Sequence, residues 1–351
     1  MVTKQSADSP CLIIAEAGVN HNGSLDAALR LIDAAADAGA DIVKFQTFKA
    51  ERLVTRHARK AAYQATHTGA GDQFSMLKAL ELSDEAHYRL LTHCETRGIE
   101  FWSTAFDEAS AQFLVDLGIR RIKIPSGELT NAPFISAMAA HGLPMIVSTG
   151  MATLDEVADA VSWIQATRRG PSADQALADF VTLLHCTSNY PCPIDDVNLL
   201  AMGTLAHHFG LPVGYSDHTQ GILVAPLARA MGATVFEKHF TLDRSLPGPD
   251  HAASLEPDEL KQMVDSIRLA ERVLGHTDKT PTPAELEVRV AARRSLTIAR
   301  DIPSGHTLTR ADLCLMRPGD GLPPVMLDQI TGRTVRHDMR PGDTLKAEDL
   351  V

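Results

Sequence analysis

The cysteines of this sequence form no pattern typical of a disulfide framework or of a zinc site. There are five, an odd number, and no two of them are separated by only two residues: Cys11, Cys94, Cys186, Cys192 and Cys314. Small secreted domains usually carry paired cysteines, whereas unpaired thiols are typical of the reducing cytosol. We therefore expect a cytoplasmic protein.

Long apolar runs and basic runs are also missing. No stretch approaches 18 consecutive apolar residues, and the N-terminal segment MVTKQSADSP has no apolar core, so we expect neither a membrane span nor export. The formal net charge is −11, with 33 Lys and Arg against 44 Asp and Glu. This balance disfavours nucleic acids and membrane surfaces as partners. Counter-charges for an anionic substrate must then lie within a local site.

Eight short apolar segments rich in β-branched residues are present in the first three quarters of the chain. They are 11–18, 41–48, 100–106, 120–127, 144–151, 181–191, 212–219 and 234–242. Nearly continuous apolar content is typical of parallel strands that are buried on both faces.

Amphipathic helical patterns lie between these segments. Ser24 precedes the first predicted helix, and Thr153 and Glu156 form a capping box at the fifth. A glycine ends every predicted helix: Gly39, Gly98, Gly118, Gly142, Gly170, Gly210, Gly232 and Gly275. Eight β-then-α units predict an α/β fold of the (β/α)₈ TIM-barrel class. A doubly wound sheet is the alternative, but its glycine-rich GxGxxG fingerprint is absent.

The C-terminal part of the chain contains an internal repeat. DIPSGHTLTRADL (301–313) and DMRPGDTLKAEDL (338–350) align without a gap at an offset of 37 residues. Two β-turn-β units of this size predict one small pseudo-symmetric β module. We predict a barrel over 1–275, a proline-interrupted linker over 276–290 and the small domain over 291–351. The long polar segment 49–82 is predicted to lie outside the core and to form a lid.

Polar residues end every predicted strand, where barrel enzymes build their sites. Two lysines together with strand-end hydroxyls suit a phosphate group. The residues concerned are Lys44, Lys123, Thr104, Ser126, Ser148 and Ser216. The alternative is that the lysines form structural ion pairs with Glu16 and Glu128.

Two histidines end the seventh and eighth predicted strands. His218 and His239 predict either a divalent metal site with open coordination positions or two ordinary hydrogen-bonded side chains.

Several motifs in this chain resemble the sialic acid synthase family, in order and over essentially the whole length. They are IIAEAGVNHNG, VKFQTFKAE, IKIPSGE, VSTGM, LHCTSNYP, GYSDHT, EKHFTLD and, in what resembles the family's antifreeze-like (SAF, β-clip) domain, RPGDGLPP. The resemblance implies a condensation of phosphoenolpyruvate with an N-acetylated amino sugar and water, dependent on Mn²⁺ or Mg²⁺. The implied products are a nine-carbon 2-keto sugar acid and phosphate, which leaves by C–O cleavage.

The resemblance also implies roles for individual residues. His218 and His239 would hold the metal, and Lys44, Lys123 and the four hydroxyls would grip the phosphate and carboxylate. Glu16 would contact sugar hydroxyls, and Glu128 would act as a general acid or base towards the metal-bound or attacking water. Further implied substrate contacts come from Gln46, Ser188, Asn189 and Tyr190, and from Arg317 of the partner subunit in a domain-swapped homodimer.

The identity of the acceptor sugar is less constrained than the reaction. IPSGELTN, KAAYQ and GPDHAASLEP look closest to the branch that uses 2,4-diacetamido-2,4,6-trideoxymannose and makes N,N'-diacetyllegionaminate. N-acetylneuraminate synthesis from N-acetylmannosamine is the alternative, followed by pseudaminate synthesis and by a non-catalytic sugar-binding homologue. A heptulosonate-phosphate synthase is disfavoured by the C-terminal repeat and by CTSNYP.

Overall fold

The computed structural model describes residues 10–169 and 173–351. The first nine residues, in which we expect no export signal, and the predicted helix stop at Gly170 lie outside these ranges. The chain forms two compact units, Met1–His276 and Thr277–Val351. Within the described residues, no helix has the length and apolar character that crossing a membrane requires.

The first unit is built on eight parallel strands. They are β1 (Leu12–Gly18), β2 (Ile42–Thr47), β3 (Glu100–Ala105), β4 (Ile122–Ile124), β5 (Met145–Ser148), β6 (Val181–Cys186), β7 (Val213–Asp217) and β8 (Val235–His239). Their order in the sheet is β3-β2-β1-β8-β7-β6-β5-β4. Each predicted strand is confirmed. Strand β1 ends at the predicted Gly18, and the other seven end earlier than predicted because their last residues turn into the following loop.

The sheet curls into a barrel that is almost closed. Strands β1 and β8 pair in register from Leu12–Val235 to Glu16–His239, which joins the first strand to the last. Strands β3 and β4 contact each other without forming a ladder in the described part of the chain. With helices around it, this is the predicted TIM barrel.

Fourteen α-helices are described along the chain. They are α1 (Leu25–Ala38), α2 (Ala50–Leu53), α3 (Ala62–Thr68), α4 (Gln73–Ala79), α5 (Asp84–Arg97), α6 (Glu108–Leu117), α7 (Ala132–Ala140), α8 (Leu154–Thr167), α9 (Leu177–Phe180), α10 (Leu200–Phe209), α11 (Val224–Ala230), α12 (Pro257–Leu274), α13 (Pro283–Ala292) and α14 (Leu327–Ile330). Eight of them, α1, α5, α6, α7, α8, α10, α11 and α12, follow the eight strands in turn.

The caps of these helices agree with the sequence patterns. The Ser24 hydroxyl accepts a hydrogen bond from the Ala27 amide, and Thr153 and Glu156 form the predicted capping box. Glycine occupies the left-handed conformation at the C-cap of α1, α5, α6 and α10, as expected for a residue without a Cβ. Gly142 and Gly232 lie one residue beyond the C-caps of α7 and α11.

The side chains that point into the barrel form two layers, an apolar layer and, further along the strands, a polar layer that lines a cavity. Ile14, Ile42, Trp102, Ile146, Leu184 and Val235 form a buried apolar cluster inside the barrel. Because side chains in a strand alternate between its faces, the residue two positions further on points the same way. Those residues are Glu16, Lys44, Thr104, Ser148, Cys186 and Glu237, and all six line one cavity.

The segment 49–82 is more ordered and more apolar than predicted. It contains α2, α3 and α4, and its Ala50 and Leu80 are buried. Leu80 packs in a small cluster with Val19 and Phe48. The expectation that this segment lies outside any core is therefore wrong for these residues, because its apolar side chains are spaced by short helices that the sequence pattern did not reveal.

The second unit reproduces the internal repeat as structure. Strands β9 (Ser295–Ile298) and β10 (Leu313–Met316) pair antiparallel, and Ile302 forms an isolated bridge with Met339. Its core contains three pairs related by the 37-residue offset: Ile302 and Met339, Leu308 and Leu345, Leu313 and Leu350. Part of the predicted linker is helical, because α13 starts at Pro283 behind a Thr282 cap. The predicted domain boundaries stay predictions.

Candidate active site

A cavity of about 470 Å³ lies at the carboxyl ends of the barrel strands. It collects thirteen of the predicted site residues: Glu16, Lys44, Gln46, Thr104, Lys123, Ser126, Glu128, Ser148, Ser188, Tyr190, Ser216, His218 and His239. Two predicted residues are not among the side chains that line it. Asn189 is exposed beside the cavity, and Arg317 is exposed in the second unit.

Four charged side chains form a buried cluster at the base of the cavity. The Lys44 ammonium lies 2.6 Å from Glu16 Oε2 and 3.4 Å from Glu237 Oε2. Lys123 Nζ donates to both Glu237 oxygens, at 2.7 and 2.9 Å. The lysines are thus paired with carboxylates, but Lys123 is paired with Glu237 and not with Glu128, whose Oε2 accepts from Asn131 at 2.7 Å.

This environment shifts the pKa of each member of the cluster. Burial raises the pKa of Glu16 to about 7, against the attraction of Lys44. Burial alone would also raise the pKa of Glu237, but the nearby ammonium groups of Lys123 and Lys44 outweigh this effect and hold its pKa well below the usual value. Burial lowers the pKa of Lys123. The pKa of Lys44 is raised because the two carboxylates outweigh its burial.

Hydroxyl groups surround the two lysines. Lys44 Nζ donates to Thr104 Oγ1 at 3.0 Å, and Ser216 Oγ donates to Glu237 Oε1 at 2.9 Å. Ser126 Oγ accepts from the Gly150 amide at 3.1 Å. Ser148 Oγ is buried and has no hydrogen-bond partner among the described residues. Its hydroxyl is therefore available to form a hydrogen bond with a ligand in the cavity.

The two histidines lie side by side above this cluster. Their ring centroids are 5.8 Å apart, and the Tyr190 ring lies over His218 with a centroid distance of 4.1 Å. His218 Nδ1 is 2.7 Å from the Thr187 carbonyl oxygen, which accepts only, so Nδ1 carries the proton and Nε2 keeps its lone pair. His239 Nδ1 is buried and unpartnered within the described residues.

This donor set fits a divalent metal ion. Burial lowers the pKa of His218 and lowers that of His239 well below the usual value, so both rings are neutral, as metal ligands must be. A ligating histidine commonly donates its second ring N–H to a carbonyl, as His218 does. Among the described residues, no three or more His, Cys, Asp or Glu side chains are placed so that together they could hold a metal ion. The protein would therefore supply two imidazoles and leave the remaining positions to other ligands.

Part of the cavity wall is apolar, although Gln64 and Gln73 of the segment 49–82 also line the cavity. The apolar wall is formed by Val19, Phe48, Leu53, Val54, Met76, Leu77, Leu80 and Phe106. Most of these side chains belong to the segment 49–82 or flank it. Gln46 Nε2 donates to Glu16 Oε1 at 3.4 Å near the boundary between the polar base and this wall.

Two acidic residues of the site received no role from the sequence. Glu237 stands at the centre of the charged cluster, and its place between inward-facing Val235 and His239 on β8 would have identified it by alternation alone. Asp250 also lines the cavity. Burial raises its pKa to about 6. It comes from a loop, so no strand periodicity could have placed it there.

Fold and site together define a (β/α)₈-barrel protein with a lysine, glutamate and hydroxyl cluster beneath two histidines. Residues 31–279 match the NeuB family and residues 293–351 match the SAF domain. This chain belongs to the NeuB family.

Named relatives cover nearly the whole chain. The N,N'-diacetyllegionaminic acid synthase of Legionella pneumophila is 51% identical over 350 residues, which is 99% of this chain and 97% of that protein. The synthase of the same name from Campylobacter jejuni is 42% identical, over 95% of this chain and 98% of its own length. Among solved structures, the N-acetylneuraminic acid synthetase of Leptospira borgpetersenii in complex with citrate is similar with a TM-score of 0.68 and 35% identity. It covers 80% of this chain and 90% of its own.

Proposed function

We propose that this protein condenses phosphoenolpyruvate with 2,4-diacetamido-2,4,6-trideoxymannose and water to give N,N'-diacetyllegionaminic acid and phosphate. The observation that carries the proposal is 51% identity over almost the full length to a synthase of that product. The two-part cavity, with a charged base and an apolar wall, supports it.

The charged base suits phosphoenolpyruvate. Lys44, Lys123 and the hydroxyls of Thr104, Ser126, Ser148 and Ser216 would bind the phosphate and carboxylate oxygens. Bringing an anion into this cluster favours the protonated form of Glu16, whose pKa of about 7 already lies near neutrality. With Glu16 protonated, the cluster contains two ammonium groups and one carboxylate, and it therefore carries the net positive charge that binding an anion requires.

The reaction forms one carbon–carbon bond and one bond between water oxygen and the enol carbon, and it breaks the carbon–oxygen bond to phosphate. The methylene carbon of phosphoenolpyruvate attacks the sugar aldehyde, water adds to the enol carbon, and phosphate leaves with the C–O bonding electrons. Glu128 lines the cavity and would accept the proton that the attacking water gives up. Its hydrogen bond with Asn131 orients the carboxylate.

His218 and His239 would hold Mn²⁺ or Mg²⁺, and their neutral rings and free ring nitrogens support this role. When bound, such an ion supplies Lewis acidity towards a carbonyl oxygen of the acceptor. Tyr190 packs against the His218 ring and restricts its orientation.

The apolar wall supports the choice of acceptor. A 2,4-diacetamido-2,4,6-trideoxy sugar carries two acetyl methyl groups and a terminal methyl group, whereas N-acetylmannosamine has hydroxyls at the 4 and 6 positions. Burying a methyl group against side chains such as Leu53, Met76 and Phe106 is favourable, and burying an unpaired hydroxyl there is costly. Glu16 and Gln46 at the boundary would bind the remaining sugar hydroxyls.

The assembly and location are part of the proposal. We infer a homodimer in which Arg317 reaches the acyl group of the sugar in the partner's barrel, and a cytoplasmic location. All five cysteines are free thiols, and Cys11, Cys94, Cys186 and Cys192 are buried, which supports a reducing compartment.

The test is phosphate release from phosphoenolpyruvate with three acceptors: 2,4-diacetamido-2,4,6-trideoxymannose, N-acetylmannosamine and the pseudaminic stereoisomer. We expect the highest kcat/KM with the first, and loss of turnover after EDTA treatment that Mn²⁺ restores. His218→Ala and His239→Ala should abolish turnover and keep the far-UV circular dichroism spectrum. A preference for N-acetylmannosamine would reassign the acceptor, and full turnover in EDTA would refute the metal site.

A further inference from the structure

A buried ion pair lies directly beside the two histidines of the proposed metal site. Asp217 precedes His218, and Lys238 precedes His239. Lys238 Nζ lies 2.8 Å from Asp217 Oδ2, and both side chains are completely buried. The two residues are also register partners in the pairing of β7 with β8.

The pair lies on the opposite face of the sheet from the cavity. Ser216, His218, Glu237 and His239 line the cavity, as the alternation of strand side chains requires, and Asp217 and Lys238 do not. The pair therefore touches neither the charged cluster nor a ligand in the cavity, and the proposed reaction gives it no role.

Further hydrogen bonds connect the pair to the turn that follows His218. Asp217 Oδ1 accepts from the Thr219 amide at 2.9 Å, and Lys238 Nζ donates to the Thr219 carbonyl at 2.5 Å. Asp217 and Thr219, the residues on either side of His218, are therefore both fixed by hydrogen bonds of this ion pair. Lys238 reaches this turn from the strand that carries His239, so one ammonium group ties the two histidine-bearing strand ends together.

Stability alone does not account for a fully buried pair of charges. Two desolvated charges regain their hydration cost only with good geometry, and apolar residues of similar volume are commonly as stabilising. What an ion pair adds is a fixed distance and direction between the groups that carry it. Here the groups that it fixes are the strand positions immediately before His218 and His239.

We propose that Asp217 and Lys238 are positioning residues that hold the imidazoles of His218 and His239 at the mutual orientation needed to share one divalent cation. This inference rests on the metal site of the proposed function. It assigns to the pair an effect on metal affinity that is separate from any effect on the stability of the barrel.

The test compares Mn²⁺ binding in EDTA-stripped protein, measured by electron paramagnetic resonance of the free ion. The double variant Asp217→Leu/Lys238→Met removes both charges and leaves no unpaired one. We expect its Mn²⁺ affinity to fall by about 10- to 100-fold, as is typical when a supporting contact of a metal ligand is lost. The Co²⁺-loaded variant should also show an altered visible absorption spectrum.

A control removes another ion pair of the same barrel, in which Arg229 is buried and Glu271 is partly buried. Arg229 and Glu271 are 3.4 Å apart, and Glu271 also accepts from the amide of Cys11, just before β1, which places this pair at the opposite end of the strands. Arg229→Met/Glu271→Gln should lower the thermal midpoint and leave Mn²⁺ affinity unchanged. If the first double variant does not fold, Asp217→Asn keeps an oxygen for the Thr219 amide and is expected to weaken Mn²⁺ binding about tenfold.

The outcomes separate this inference from the proposal on which it rests. If the unmodified protein binds Mn²⁺ and His218→Ala abolishes binding, unchanged affinity in the folded Asp217 and Lys238 variants overturns the positioning role alone. Equal loss of affinity in the Arg229 control would also overturn it, since the effect would then be a general one of stability. If the unmodified protein binds no Mn²⁺, the metal site and the positioning role both fail.

Discussion

At the scale of single residues, adding one methyl group at Gly150 is expected to displace two serine hydroxyls of the site. A Cβ added there would lie 2.3 Å from Ser188 Oγ and 2.7 Å from Ser126 Oγ. Both hydroxyls can rotate away, so we expect Gly150→Ala to fold and to lose their alignment. The KM for phosphoenolpyruvate should rise about tenfold, the value of one hydrogen bond, in steady-state phosphate release.

Gly203→Ala is the matched control for this substitution. Gly203 is exposed in α10, and a Cβ there would meet nothing within 4 Å. The control should leave the KM unchanged and stabilise the protein by about 0.5–1 kcal/mol, because glycine is a poor helix former. An equal rise in KM in both variants would contradict the placement of Ser126 and Ser188 at the substrate.

Asp250 predicts a pH-dependent difference in stability. Its carboxyl has a pKa of about 6 in the folded protein because of burial, above the ordinary value of 3.8. Between these values the folded state keeps a proton that the unfolded state has lost, so stability falls as pH rises through this window and the cost is complete above pH 6. Asp250→Asn removes the cost and should raise the thermal midpoint at pH 7.5 but not at pH 3.5.

The exposed Asp195 offers a control on the same barrel. Asp195→Asn should shift the thermal midpoint by the same small amount at both pH values. A difference between wild type and Asp250→Asn that stays constant from pH 3.5 to 7.5 would show that folding does not raise the pKa of Asp250.

Residue types at the site were more predictable than their partners. The positions of Lys44 and Lys123 near strand ends could be predicted from the apolar segments alone, because the alternation of side chains along a strand is a local pattern. The sequence could not show that both lysines share Glu237, since that contact depends on how β2, β4 and β8 curve around the barrel. Asp250 could not be placed at the cavity from the sequence either, because it lies in a loop and strand periodicity does not apply there.

At the scale of elements, the loop after β1 holds the loop after β8. Asn20 is buried and donates from Nδ2 to the Phe240 carbonyl at 2.8 Å and to Ser254 Oγ at 3.0 Å. Ser254 in turn donates to the Asp250 carbonyl at 2.6 Å. The position of Asp250 at the cavity is thus set by contacts more than 200 residues away in sequence.

Asn20→Ala should therefore cost about 1–3 kcal/mol in the free energy of unfolding, because it leaves buried acceptors without donors. Urea denaturation measures this loss. In a double-mutant cycle with Ser254→Ala, the combined loss should be smaller than the sum of the single losses, since both substitutions remove the same hydrogen bond. Strict additivity would mean that the two side chains do not interact.

Elements were the best-predicted level of the structure. All eight strands and the eight helices that follow them were predicted, because the apolar pattern and the caps are short-range signals. The helices α2, α3 and α4 were not, since each is only four to seven residues long and shows no periodicity that distinguishes it from a polar loop.

At the scale of the whole molecule, the proposed swapped dimer makes a prediction about mixed subunits. His218→Ala disables a barrel, and Arg317→Ala disables the contribution of the second unit. If Arg317 serves the partner's barrel, a mixed dimer contains one intact site. Random pairing makes half of the dimers mixed, so co-expressed variants should show about a quarter of the wild-type activity.

The control is a mixture of the two variants that were purified separately and not allowed to exchange. Its activity should equal the sum of the two parents. If the co-expressed sample also shows no more than that sum, or if a monomer is fully active, Arg317 does not act across a dimer. A raised acceptor KM in Arg317→Ala alone would then indicate a role within its own chain.

The 37-residue repeat divides the second unit into two similar halves. Each copy contributes one member of every related core pair, such as Leu308 and Leu345. Each copy also closes its turn with the same hydrogen bond, which the Thr309 amide donates to Asp312 and the Lys346 amide donates to Asp349. One copy alone has no opposite half against which to bury these side chains. The unit therefore folds as two matched halves, each of which completes the apolar core of the other.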